Sequence, residues 1–193
     1  DIDCNVNVLD TLKRELCDCS SFALSVAFIT ASGIQVLAAI LAELRDRGIP
    51  GRILTSTYLN FNDPDALGKL LEYPNIESRV YQGDLHAKGY FFNKDQISTI
   101  IIGSSNLTQT ALTCNKEWNI LFRSFPDGRL YLQAKEQYEQ LWNDEEDVSL
   151  TKRWIADYRR YLEENPRPKQ TRSSRAFRDD AHEAMPLGSD SAV

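Results

Sequence analysis

The sequence predicts an α/β fold in which a mixed, largely parallel β-sheet is flanked by helices on both faces. Apolar runs of strand length alternate with helical patterns in the first half of the chain, and a parallel sheet is typical of that alternation. The chain has 193 residues, of which 42% are hydrophobic and 26% charged. This length can bury the core of one globular domain without disulfides or metal ions.

The first half of the chain supplies the alternating elements. Leu9, Leu12 and Leu16 recur at steps of three and four residues, which predicts a short amphipathic helix. The run from Phe22 to Ile29 is nearly all apolar, as in a strand that is buried on both faces. Ser32 is the predicted N-cap of a second helix. A strand from Arg52 to Thr55 and a helix opened by Asp63-Pro64 are predicted next.

The second half supplies more strands and two helices. Strands are predicted at Ile76–Tyr81, His86–Phe92, Ser98–Gly103 and Asn119–Phe122. Tyr131, Ala134, Tyr138 and Leu141 line one face of a predicted helix, and Ser149 is the predicted N-cap of the last one. After Asn165 the sequence is polar and rich in Pro, Arg and Ser. We therefore expect a domain over residues 1–165, followed by a flexible tail or linker over 166–193.

Charge is unevenly distributed along the chain. The net charge is −6, yet Lys152 to Arg178 holds nine basic and three acidic residues, so the remainder carries −12. The basic segment is interpreted either as an arm that faces nucleic acid or as a solvated helix face leading into a linker.

Cysteine usage and hydropathy indicate the class of protein. The four cysteines (Cys4, Cys17, Cys19 and Cys114) lack the two closely spaced pairs of a zinc site, so we expect free thiols, no metal and a cytoplasmic location. No stretch resembles a transmembrane helix or a retained signal peptide, and no membrane association is expected. Since the first residue is Asp1 and not Met, we expect a domain of a longer protein.

His86 and Lys88 are the first candidate catalytic pair. They are two residues apart in a β-patterned segment, so their side chains project to the same face. An imidazole beside an ammonium suits a phosphate, because the cation neutralises the phosphate oxygens while the imidazole attacks or protonates. The other histidine, His182, lies in the polar tail and is not expected to be catalytic.

Polar residues at two further strand ends complete the candidate site. Gly103-Ser104-Ser105-Asn106 follows an apolar strand, where Gly admits an anion to the backbone while Ser and Asn add neutral donors. Glu117 precedes the next strand, and a carboxylate there can orient a catalytic imidazole. Thr57 and Tyr58 end a strand on the same predicted edge and are candidates for the substrate groove. These predicted site residues are His86, Lys88, Asn106 and Glu117, with Ser104, Ser105, Thr57 and Tyr58 as substrate contacts.

The pattern of His86-x-Lys88 followed by Gly103-Ser104-x-Asn106 resembles the catalytic motif of the phospholipase D superfamily. The resemblance covers about Phe22 to Trp142 and implies the phospholipase D/nuclease fold with a single HKD half. Asn93 stands where that family usually has Asp. The metal-independent restriction endonucleases of the superfamily lack this Asp as well, and use a quartet that corresponds to His86, Lys88, Asn106 and Glu117. The chain also resembles phospholipase D-like domains fused ahead of DEAD/DEAH-box helicases.

The resemblance implies a reaction through a covalent phosphohistidine, without metal or other cofactor. A second histidine protonates the leaving oxygen, so a homodimer that brings two copies of His86 to one site is implied. The expected function is a nuclease, with DNA favoured over RNA, within a helicase or restriction/defence-type protein. Two alternatives stay open: a catalytically silent module that binds nucleic acid or dimerises, and a phospholipid hydrolase or transferase.

Overall fold

A seven-stranded β-sheet forms the centre of the molecule in the computed structural model, which describes residues 7–144 and 146–165. Its strands are β1 (Ser21–Ser25), β2 (Gly51–Ser56), β3 (Ile76–Tyr81), β4 (Gly89–Asn93), β5 (Ser98–Gly103), β6 (Asn119–Ser124) and β7 (Asp147–Ser149). Their order across the sheet is β6-β5-β4-β1-β2-β3-β7. Cys4, His182 and the expected tail lie outside the described residues.

The sheet is mixed, as the sequence predicts, but it is less parallel than expected. β1, β2 and β3 run parallel to one another. β4 pairs antiparallel with β1, β5 with β4, β6 with β5, and β7 with β3. The expectation of a largely parallel sheet is therefore wrong. Only four residues connect β4 to β5, and so short a connection joins antiparallel strands, whereas parallel strands need a crossover.

Helices cover both faces of the sheet, which confirms that prediction. α1 (Val8–Cys17), α2 (Ala31–Asp46), α3 (Pro64–Leu70), α4 (Gln109–Thr113) and α6 (Lys152–Glu164) pack on one face in the larger apolar core. α5 (Arg129–Trp142) lies on the other face, where Tyr131, Tyr138 and Trp142 contact the smaller core. None of the described helices has the length and apolar character needed to cross a membrane.

Two helices begin at other caps than predicted. Thr30, not Ser32, is the N-cap of α2, and its hydroxyl accepts from the Gly33 amide at 3.1 Å. Thr151, not Ser149, is the N-cap of α6, because Ser149 belongs to β7, a strand that was not predicted from the sequence. Each cap follows the last residue that takes part in β-pairing. Thr30 follows the Ile29–Leu107 bridge, and Thr151 follows the pairing of β7 with β3.

A fully buried carboxylate fastens α1 to the antiparallel half of the sheet. Glu15 has no exposed side-chain surface, and it accepts from the Thr99 hydroxyl at 2.9 Å and from Arg123 at 2.7 Å. Lys94 Nζ lies 3.3 Å from the same carboxylate. Burial alone raises the pKa of Glu15, but the hydrogen bonds from Thr99, Arg123 and Lys94 outweigh it and hold that pKa below its ordinary value.

Candidate active site

Five strand ends meet at one edge of the sheet. β1 and β2 finish there in parallel, and Ser25 at the end of β1 pairs with Gly89 at the start of β4. Gly89 also pairs with Ile102 near the end of β5, and Gly103 pairs with Asn119 at the start of β6. Ligands of open α/β sheets bind outside the carboxyl ends of parallel strands, so this edge is where a site is expected.

His86 and Lys88 lie at this edge, in the irregular segment that leads into β4. The strand predicted from His86 therefore begins later, at Gly89. The Leu85 carbonyl before it accepts from the side-chain hydroxyl of Ser56, at the end of β2, and not from a backbone amide in a strand ladder. The two side chains do project together: Lys88 Nζ is 2.6 Å from His86 Nε2. His86 is exposed, whereas Lys88 is only 7% exposed. An accessible imidazole thus lies against a largely desolvated ammonium.

The backbone between β5 and β6 comes close at Gly103. A Cβ on Gly103 would lie 2.2 Å from the Trp118 carbonyl oxygen and 2.2 Å from Asn119 Oδ1, so no larger residue fits there. Just beyond, the Ser104 amide donates to the Trp118 carbonyl at 3.0 Å, and the Trp118 amide donates to Ser104 Oγ at 3.1 Å. These bonds fix the loop that carries the predicted phosphate donors.

Glu117 is held inside this loop. Its carboxylate accepts from the Ser104 hydroxyl and from Asn115 Nδ2, the latter at 3.2 Å. The sequence predicts that Glu117 orients a catalytic imidazole and that Ser104 contacts the substrate. The contacts with Ser104 and Asn115 give Glu117 a loop-positioning role, and its proposed role toward His86 remains a prediction.

Ser105 lies in the interior, beneath the surface at which His86 is exposed. It is fully buried, its carbonyl accepts from the Tyr90 hydroxyl at 2.7 Å, and its hydroxyl accepts from Asn119 Nδ2 at 2.9 Å. Its side chain has no exposed surface in this conformation, and the substrate contact predicted for Ser105 stays a prediction. Burial, and secondarily the charge of Glu117, raises the pKa of Tyr90, so its hydroxyl stays protonated and donates. Nothing in the sequence distinguishes Tyr90 from an ordinary core aromatic.

Two asparagines hold the extended segment that follows β1. Asn106 Oδ1 accepts from the Phe28 amide at 3.1 Å, and Asn62 Oδ1 accepts from the Ile29 amide at 2.7 Å. Asn106 is 2% exposed, and its Nδ2 has no acceptor among the described residues. That amide is an unused donor at the predicted phosphate position. Asn62 is not among the predicted site residues, and its only signal in the sequence is its position just before the Asp63-Pro64 helix start.

Aromatic residues form the wall beside His86. The Tyr58 ring lies 5.1 Å from the imidazole and stacks on Phe28 at 6.0 Å, and Phe28 also meets Phe61 edge to face at 5.1 Å. Tyr58 thus lies beside His86. Its neighbour Thr57 is half-buried, and its amide donates to the Tyr81 carbonyl at 3.0 Å. The substrate contacts predicted for both residues stay predictions.

Asn93, which stands where the resembled family usually has Asp, lies away from this edge. It ends β4 whereas Lys88 precedes it, so the length of the strand, about 16 Å, separates them. Asn93 donates to the Ser21 hydroxyl and accepts from Ser98 and Tyr131, so its role is structural. No group of three or more potential metal-ligating His, Cys, Asp or Glu side chains lies within residues 7–144 and 146–165. The positive charge of the described site comes from Lys88.

Comparisons with known proteins match this architecture. Residues 14–142, about two thirds of the chain, match the family model described as "Cardiolipin synthase, PLD-like domain". Among solved structures, NucT from Helicobacter pylori is 22% identical over 74% of this chain and 90% of its own, with a TM-score of 0.56. No curated protein matches in sequence.

Two larger proteins share the fold over part of their length. Phosphatidylserine synthase from Haemophilus influenzae Rd KW20 is 13% identical over 80% of this chain and 41% of its own, with a TM-score of 0.57. Polyphosphate kinase from Porphyromonas gingivalis is 12% identical over 81% of this chain and 26% of its own, with a TM-score of 0.53. These structures share the α/β fold, and the family match covers the strands and loops that carry His86, Lys88, Asn106 and Glu117. The chain belongs to the phospholipase D-like domain family.

Proposed function

We propose that this domain is a phosphodiesterase that hydrolyses nucleic acid without a metal ion, with His86 as the nucleophile. The observation that carries the proposal is the contact of 2.6 Å between His86 Nε2 and Lys88 Nζ. The buried Asn106 amide, which has no acceptor among the described residues, is the second proposed phosphate donor. An exposed imidazole can reach a phosphorus atom, and the two nitrogen donors can bind the phosphate oxygens on which charge develops.

The reaction proceeds in two displacements. A phosphate oxygen replaces His86 Nε2 as the acceptor of the Lys88 ammonium, and the lone pair of His86 Nε2 is then free to attack phosphorus. The P–N bond forms, the bond from phosphorus to the leaving oxygen breaks, and a protonated second histidine gives its proton to that oxygen. Water then attacks phosphorus, the second histidine takes the proton from the water, and the P–N bond breaks.

The second histidine comes from a second copy of the chain. The other histidine of the sequence, His182, lies in the polar segment after Asn165, so we assign the nucleophile and the acid to His86 of two copies related by a two-fold axis. An apolar surface beside the site supports this arrangement. We call Trp118, Ile120 and Ile102 the edge patch; they are 88%, 70% and 46% exposed. Ile120 lies on the outermost strand, β6, and pairs with Ile102 on β5, while Trp118 directly precedes β6 and follows Glu117 in sequence. A second copy that covers the edge patch would therefore lie next to the loop that carries Glu117.

Mixing active and inactive chains tests the shared site. In mixtures of wild type with His86→Ala, a site that needs two copies of His86 loses activity as the square of the wild-type fraction. Activity that falls in direct proportion to that fraction would show that each chain works alone. Trp118→Ala with Ile120→Glu is expected to give a monomer in sedimentation equilibrium and to abolish cleavage.

DNA is the proposed substrate, and a helicase or a restriction/defence-type protein in the cytoplasm is the proposed context. The resemblance of the segments from Leu54 to Phe61 and around His86 and Asn106 to helicase-fused domains supports this context. The name of the structural neighbour NucT is consistent with a nuclease.

Cleavage of DNA in EDTA tests the function. We expect wild-type protein to cut DNA in EDTA, His86→Ala to lose cleavage, and His182→Ala, the matched histidine control, to keep it. Binding of DNA without cleavage by the wild-type dimer would favour a silent module. A phospholipid substrate is the second candidate, since the matched family model and one structural neighbour carry the names of phospholipid synthases. Turnover of phosphatidylglycerol vesicles with no turnover of DNA would favour it.

A further inference from the structure

A strained turn lies next to His86. The chain leaves β2 and forms a single 3-10 turn over Tyr58–Asn60, in which Leu59 and Asn60 have φ angles of 51° and 56°. Asparagine tolerates this left-handed conformation, whereas leucine rarely adopts it. Leucine at Leu59 therefore has an energetic disadvantage that glycine would not have. Such strain persists where the surroundings impose it, and it is concentrated at functional sites.

The surroundings fix the turn on both sides. The Asn60 amide donates to the Thr57 carbonyl at 2.9 Å, and Asn60 Nδ2 donates to the Tyr161 hydroxyl of α6 at 3.4 Å. Tyr58 is stacked on Phe28 and tilted against the imidazole of His86. Leu59 is 56% exposed, so the turn presents an apolar side chain to solvent instead of burying it.

The position of the turn suits a nucleobase. In a nucleotide the base lies one sugar away from its phosphate, so a phosphate at His86 would bring its base to the Tyr58 ring, 5.1 Å from the imidazole, with Leu59 next in the turn. Aromatic and apolar side chains bind bases through their flat faces, and those faces are accessible in single strands but stacked away in a duplex.

Charge next to the turn also favours a single strand. Duplex binding depends on several lysines and arginines that neutralise phosphates. Arg159 and Arg160 on α6 lie beside Tyr161, but Arg159 Nη2 is 2.8 Å from Asp65 and Arg160 Nη2 is 3.6 Å from Asp157. Their charges are already partly neutralised within the protein.

We propose that the Tyr58–Asn60 turn binds one unpaired base next to the scissile phosphate, so that the site selects single-stranded or unpaired nucleic acid over duplex. This inference rests on the proposed function. Leu59 and Tyr58 form the surface on which the base lies. Leucine occupies a backbone conformation that favours glycine, and it exposes an apolar side chain at this position.

The test compares wild type with Leu59→Gly, using Leu132→Ala as a matched control at an exposed leucine of α5. Substrates are one oligonucleotide as a single strand, as a perfect duplex, and as a single strand with one abasic site that removes the base beside the cleaved bond. Rates are measured in EDTA, and binding is measured separately by fluorescence anisotropy.

We expect kcat/KM of the wild type to be higher on the single strand than on the duplex by about tenfold or more. Leu59→Gly should lose about that factor on the single strand, keep the wild-type rate on the abasic substrate, and retain or raise the melting temperature. Leu132→Ala should match the wild type throughout. Equal rates on both strand forms, or an unchanged Leu59→Gly, would overturn the inference.

Binding separates this inference from the proposed catalysis. If the wild type binds single strands selectively and Leu59→Gly loses that selectivity while nothing is cleaved, the base-binding turn stands and the proposed hydrolysis fails. If the wild type cleaves but shows no preference for single strands, hydrolysis stands and the inference fails.

Discussion

Two lysines lie at opposite ends of β4, and their surroundings predict opposite effects when each is replaced by methionine. Lys88 precedes the strand, is 7% exposed and contacts His86. Lys94 follows the strand and lies 3.3 Å from the buried carboxylate of Glu15. Methionine has a similar length to lysine but carries no charge, so each substitution removes the ammonium and keeps most of the packing volume.

The expected magnitudes follow from these contacts. Lys88→Met removes a charged donor from the proposed phosphate site, and kcat should fall about 10²- to 10³-fold. Burying the Lys88 ammonium carries a desolvation cost that Lys88→Met removes together with the contact to His86. The melting temperature of Lys88→Met should therefore change little. Lys94→Met removes one of the three donors to Glu15, and Arg123 and Thr99 remain. The free energy of unfolding should fall by about 1–2 kcal/mol, which lowers the melting temperature by about 2–8 °C.

Both quantities are measured on the same preparations, as kcat for an oligonucleotide in EDTA and as thermal unfolding followed by circular dichroism. Lys94→Met should keep kcat within about threefold of the wild type at a temperature where it is folded. The reasoning is refuted if Lys88→Met keeps its kcat, or if it lowers the melting temperature more than Lys94→Met does.

Three further predictions concern titratable groups. The pKa of Glu15 is below its ordinary value, so its stabilising contribution is present at neutral pH and lost on acidification; the stability deficit of Glu15→Gln should shrink in urea titrations from pH 6 to pH 3. Burial raises the pKa of Asp147 to about 6, partly offset by Arg79 and reinforced by Asp144. The carboxylate oxygens of Asp147 have no hydrogen-bond partner among the described residues. Asp147→Asn should therefore raise the free energy of unfolding by about 1–2 kcal/mol above pH 6 and leave it unchanged below pH 4. A constant gain across that range would contradict this cause. Burial raises the pKa of Cys19 to about 11, so exposed Cys17 and Cys114 should react with a thiol reagent at pH 8 before Cys19 does, as mass spectrometry of the peptides would show.

The sequence was sufficient to locate the strands that carry the site. Local patterns encode this information. The apolar runs that begin at Phe22 and end before Gly103 predict strands whichever strands they pair with. A His and a Lys two residues apart in an extended segment share a face. The predicted juxtaposition of His86 with Lys88 depends on nothing beyond that local geometry.

Features set by distant contacts were not predictable in the same way. The left-handed φ of Leu59 contradicts the preference of leucine and is imposed by the tertiary contacts around it. The burial of Ser105 depends on Tyr90 and Asn119, which approach from two other strands. β7 is only three residues long, and its pairing with the edge of β3 leaves no periodic signal.

The bonds that Asn106 and Asn62 make to the segment after β1 also determine when the site can exist. Phe28 and Asn106 are 78 positions apart in the chain, and Ile29 and Asn62 are 33 apart. Contacts of such long range carry a loop-closure entropy cost, and they need the whole intervening chain to be present. A chain still emerging from the ribosome has β1 before it has Asn106, so its phosphate donors are not yet assembled. The proposed site is therefore assembled only once the domain is complete.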